Sequence, residues 1–109
     1  MAAFIILLLL GIAMIILGII NSRGDLRSLH SYHYKRVTEA DRLKFGRRVG
    51  LGTILVGVSC ILYGVAFLLY EKTQKDLFIL LGLCLLFAGL IAGMMIVFRA
   101  MKKYNKGIF

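Results

Sequence analysis

Uncharged, mostly apolar residues run unbroken from Ala2 to Ile20, from Val49 to Tyr70 and from Leu77 to Phe98, and every charged side chain lies between or beyond these runs. A helix rises 1.5 Å per residue, so about 20 residues cover a hydrocarbon core of about 30 Å. Each run therefore predicts one membrane-crossing helix. A soluble bundle would need a polar stripe along each helix, and no run carries one. The pattern predicts an all-α integral membrane protein with spans at about 2–20, 49–70 and 77–98, a loop at 21–48 and a tail at 99–109. Residues 1–109 leave room for a single domain. Composition agrees: 61% of residues are hydrophobic, above the share usual in soluble domains.

Charge adds an orientation. Of the 14 lysines and arginines, most fall in the first loop and the tail, whereas the turn from Glu71 to Asp76 is neutral overall. Basic segments are retained on the cytoplasmic side of short-looped membrane proteins. The expected topology is a multi-pass cell-membrane protein with its N-terminus outside, the first loop and the C-terminus cytoplasmic, and the turn outside. A cleaved signal peptide would carry a basic residue before its apolar stretch and a small-x-small cleavage site. Neither precedes Arg23, and cleavage would put the most basic loop outside, so the first run is read as a membrane helix.

Glycine spacing predicts contacts. Gly11 and Gly18, then Gly50, Gly57 and Gly64, then Gly82 and Gly89 recur at seven residues, and Gly93 follows Gly89 by four. Seven residues is close to two helical turns, so each series occupies one stripe. Small residues let helices approach closely in lipid, where apolar side chains gain nothing by hiding. Aligning the helix ends pairs Gly18 with Gly50, Gly11 with Gly57, Gly57 with Gly89 and Gly64 with Gly82. The expectation is one glycine-lined seam at the centre of the bundle. Proline is absent, which favours unbroken helices.

The first loop carries its own signals. Thr38-Glu39-Ala40-Asp41 has the form of a capping box with Thr38 as helix cap, after which the chain can run as one helix into the second span. Arg42, Lys44, Arg47 and Arg48 would reach towards lipid phosphates. Arg99, Lys102, Lys103 and Lys106 would continue that role below the third span, their stems snorkelling along lipid. The implied partners are anionic headgroups and a membrane-protein partner or second copy, with no nucleic acid. A short interfacial helix from Asp25 to Tyr34 is also predicted.

Little else suggests chemistry. The spans hold no Asp, Glu, Lys, Arg or His, whereas ion and proton pathways usually place such a group in the membrane. Cys60 and Cys84 lie within spans and read as packing residues. Thr53 and Ser59 read as residues bonded to the preceding backbone. His30 and His33 would need a third ligand from Asp25 or Glu39 to hold a metal. No phosphate loop, nucleophile elbow or zinc-protease helix is present. No enzyme activity, cofactor or metal is expected.

The stretch from Leu29 to Asp41, followed by Phe45-Gly46-Arg47-Arg48-Val49-Gly50, resembles a bacterial family of small uncharacterised membrane proteins. The resemblance covers roughly residues 4 to 70 and implies a bacterial inner-membrane protein of three helices, with no catalytic residues. Three functions compete. The first is a structural or accessory interaction protein that associates through glycine-lined helix faces and uses its basic face for anionic lipid or a partner. The second is a holin-like pore-forming homo-oligomer, since one class of phage holins is similar in size, span number and basic tail. The third is a small transporter or channel, which the charge-free spans disfavour.

Overall fold

The computed structural model describes residues 2–25 and 37–106. Three helices account for nearly all of them: α1 (Ala2–Ser22), α2 (Arg42–Thr73) and α3 (Asp76–Tyr104). The fold is all-α, and all three helices are long and apolar enough to cross a membrane, as in a multi-pass membrane protein. In hydrocarbon every backbone amide needs an internal partner, which a continuous helix supplies.

α2 lies between α1 and α3, each of which packs along it and scarcely on the other. With 32 residues, α2 spans about 48 Å at 1.5 Å per residue, well beyond a hydrocarbon core. Its basic first two turns supply most of the excess, and the last turn from Glu71 to Thr73 adds to it. The helices end where their backbone groups find other partners. α2 stops at Gln74, whose left-handed conformation (φ 58°) lets its amide bond the Tyr70 carbonyl at 2.7 Å. Lys75 is extended and turns the chain into α3. Asp76 then faces the positive end of the α3 dipole, and Lys102 and Lys103 its negative end.

The start of α2 differs from expectation. Thr38 is not its N-cap; that position is Asp41, without a side-chain cap bond. The Thr38 hydroxyl does accept the Asp41 amide at 3.3 Å, but the Thr38 carbonyl accepts the same amide at 3.0 Å. Thr38 thus closes a turn ahead of the helix, a conformation its hydroxyl favours, and α2 begins four residues after it. The predicted interfacial helix, including His30 and His33, falls outside the described residues apart from Asp25.

Candidate functional site

Two series of close contacts hold the helices, on nearly opposite faces of α2. Against α1, a Cβ added at Gly57 would lie 2.7 Å from the Gly11 carbonyl oxygen, and one at Gly18 would lie 2.7 Å from that of Gly50. Gly64 faces Leu7 and Phe4, and Gly46 faces the Asn21 carbonyl. Each step of seven along α1 meets a step of seven back along α2, as antiparallel helices require.

Against α3, the contacts come from a different series. A Cβ at Gly52 would lie 2.6 Å from the Gly93 carbonyl oxygen, and one at Gly82 would lie 2.7 Å from the Ala66 Cβ; Gly89 faces Ser59. Gly52, Ser59 and Ala66 are themselves seven apart. They sit two residues from Gly50, Gly57 and Gly64, and two residues turn an α-helix by about 200°.

This corrects the single central seam. Gly57 meets Gly11 and not Gly89, and Gly64 meets Leu7 and not Gly82. One stripe serves one neighbour, so a helix sandwiched between two others needs a stripe on each side. The missed signal was Gly52-Ser59-Ala66, overlooked because only one of its members is glycine. The Ser59 hydroxyl donates to the Leu55 carbonyl at 2.8 Å and Thr53 to that of Val49 at 2.9 Å. Both polar groups are satisfied within α2. Cys60 is a buried free thiol and Cys84 an exposed one.

The basic end is built differently. Phe45, Val49, Ala100 and Met101 are buried together, with Val37, Val97 and Tyr104 packed around them. The Phe45 and Tyr104 rings meet edge to face, their centroids 6.3 Å apart. Two cations from different helices converge on Tyr104: the Arg48 guanidinium carbon stands 5.8 Å from the ring centroid and the Lys103 Nζ 5.3 Å. Both are within cation–π reach. Lys44, Arg47, Arg99, Lys102 and Lys106 are exposed around them.

Nothing matches at the level of known proteins. No family model matches the chain, and neither a curated protein nor a solved structure does. What the site can do must come from its own groups.

Arg42 stands apart from the other cations. Its Nε donates to the Gly24 carbonyl at 2.6 Å, and its Nη1 lies 3.6 Å from the Glu39 carboxylate. Gly24, at φ +91°, terminates α1 in the left-handed region that glycine adopts without strain. Arg42 therefore ties the end of α1 to the start of α2 instead of projecting to phosphates, as expected of it. Asn21 and Asn105 are buried polar residues at this end that the sequence pattern did not single out. Among the described residues no buried side-chain nitrogen or oxygen lacks a hydrogen-bond partner. The remaining exposed cations can bind anions.

Proposed function

We propose that the protein acts by association, as a non-enzymatic structural or accessory membrane protein whose basic end contacts anionic lipid headgroups or an acidic surface of a partner. One observation carries this reading. The polar hydroxyls of Thr53 and Ser59 within the crossing segments are spent on their own helix, while the exposed cations Lys44, Arg47, Arg48, Arg99, Lys102 and Lys103 crowd one end. The glycines are consumed in joining the three helices to one another. Association with other molecules would therefore use the large apolar side chains that face outward, such as Ile6, Leu9 and Ile91, together with the basic end. Exposed apolar surface of this kind suits lipid or a second membrane protein.

The orientation proposed is N-terminus outside and basic end cytoplasmic, from the retention of cations on that side. Single cysteines at Ser31 and Thr73, in a chain with Cys60 and Cys84 replaced by alanine, test it. An impermeant thiol reagent added to intact cells should label the Thr73 position alone; labelling of Ser31 alone would invert the topology. The function is tested by solubilising native membranes in mild detergent, cross-linking and weighing the product. A defined complex with another membrane protein is expected. A ring of identical chains would replace this reading with a pore.

A further inference from the structure

The groove beside the α2–α3 contact and the cations at the basic end lie on one continuous strip of surface. Leu55, Val58 and Leu62 of α2 and Leu85, Ala88 and Ala92 of α3 line an apolar groove of about 290 Å³, floored by Ser59 and Gly89. Small residues on the α3 side leave the space open. Followed towards the basic end at three- and four-residue steps, the α2 wall runs through Leu51 to Arg48 and Lys44. The α3 wall runs through Met95 and Ile96 to Arg99 and Lys103. Residues at these spacings share one helix face. Both walls thus pass from hydrocarbon-like to cationic at the same end. Seven residues separate Arg48 from Leu55, so the groove begins about 10 Å from the cations.

The charges themselves are placed to converge. Arg48 and Lys103 approach the same Tyr104 ring from two helices, so two positive charges share one neighbour. No acidic residue lies in α2 before Glu71 or in α3 after Asp76, so neither helix supplies a carboxylate to that pair. A groove on the other side of the α2–α3 contact, of about 250 Å³ and lined by Met14, Gly52, Thr53, Met94 and Phe98 among others, leads from Gly52 to Arg48 but from Phe98 to Lys102, and so reaches only one of the two cations beside Tyr104. One turn beyond Thr53 lies Val49 and two turns beyond Met94 lies Met101, both buried in the apolar core.

We propose that the α2–α3 hairpin binds an anionic phospholipid, with its phosphate between Arg48 and Lys103 and an acyl chain in the groove beside Ser59 and Gly89. A doubly cationic clamp above an apolar channel matches the two halves of such a lipid, and a lipid is the ligand that occurs at this depth. Basic pockets between membrane helices bind acidic headgroups on this physical basis. The inference rests on reading the basic end as a lipid- or partner-contacting face, and it narrows that face to one site.

The test supplies the purified protein with equal phosphatidylglycerol and phosphatidylcholine in mild detergent and counts retained lipid by native mass spectrometry. Wild type should retain phosphatidylglycerol in preference. Arg48→Gln with Lys103→Gln should lower that retention roughly tenfold or more, as expected for removing two basic side chains from an acidic headgroup. Ala88→Trp should lower it as well by filling the groove with no change of charge. Arg47→Gln with Lys102→Gln removes the same charge from neighbouring exposed positions that are not paired at the Tyr104 ring and should change retention less than about twofold. Equal loss in both double variants would overturn the site while leaving a diffuse basic face standing. No preference in wild type would remove both the site and the lipid form of that face. Unchanged helical circular dichroism confirms that each variant is folded.

Discussion

The membrane-crossing middle of the molecule and its basic end are packed by opposite rules. In the middle, the buried positions are Gly11, Gly18, Gly50, Gly52, Gly57, Gly64, Gly82, Gly89 and Gly93 with Ser59 and Cys60, while large side chains such as Ile16, Leu62 and Phe87 point outward. At the basic end the order reverses: Phe45, Val49 and Met101 go inside and lysines and arginines go out. In lipid a large apolar side chain gains nothing by turning inward, so close backbone approach decides. Where water reaches the chain, burial of apolar surface is again favourable. The rule changes near Val49 and Ala100, which is where the uncharged runs of α2 and α3 meet their basic ends.

Phe45→Ala should have the largest effect. If the basic end is a water-facing core, removing a fully buried ring should cost about 3–5 kcal/mol, as in soluble cores. The melting temperature in detergent should fall by many degrees. A negligible shift would mean that this end is solvated by detergent or lipid, and the boundary would have to move beyond it.

Gly57→Ala probes the other rule and should cost about 1–3 kcal/mol, the usual range for overpacking. The new methyl would press on the Gly11 carbonyl, which belongs to backbone and cannot swing aside. Gly64→Ala is the contrast in the same stripe. There the added Cβ would lie 3.2 Å from the Leu7 Cβ, a neighbour that needs to yield only slightly. Alanine's helix propensity, better than glycine's by about 1 kcal/mol, should offset most of that strain. Equal losses at the two positions would show that the α1–α2 contact is not specific to backbone approach.

How far the sequence carries these rules can be read from the same residues. The three long apolar helices were legible because each rests on one local property, the length of an uncharged run. Which neighbour a glycine stripe faces was not legible. A seven-residue repeat fixes a direction around its own helix and says nothing of who stands there, so Gly57 was paired with Gly89 as well as Gly11. The second stripe was hidden by its mixed composition of Gly52, Ser59 and Ala66. The cluster at the basic end was not legible either: the mutual contact of Phe45, Val49, Met101 and Tyr104 joins residues more than fifty apart and leaves no local trace.

Arg42→Gln tests the join between the two regions. It removes the donor to the Gly24 carbonyl and the charge beside Glu39. A hydrogen bond from a charged donor at a part-buried site and an exposed ion pair together contribute about 1–2 kcal/mol. The effect should be smaller than at Phe45 and should appear as earlier protease cutting between α1 and α2. Unchanged cutting would show that the end of α1 is held by the Gly46 approach to the Asn21 carbonyl alone.

The smallest expected effect is the most informative about function. Phe87→Ala removes a ring of the same size as Phe45 from the middle of α3, where it is 58% exposed. A ring surrounded by lipid before and after folding gains little by it, so the isolated protein should lose less than about 0.5 kcal/mol. The same substitution in native membranes asks another question. If this face of α3 is covered by a partner, the complex recovered in mild detergent should lose that partner although the variant's own stability is unchanged. If the complex survives, α3 faces lipid here, and any partner must sit on α1 or at the basic end.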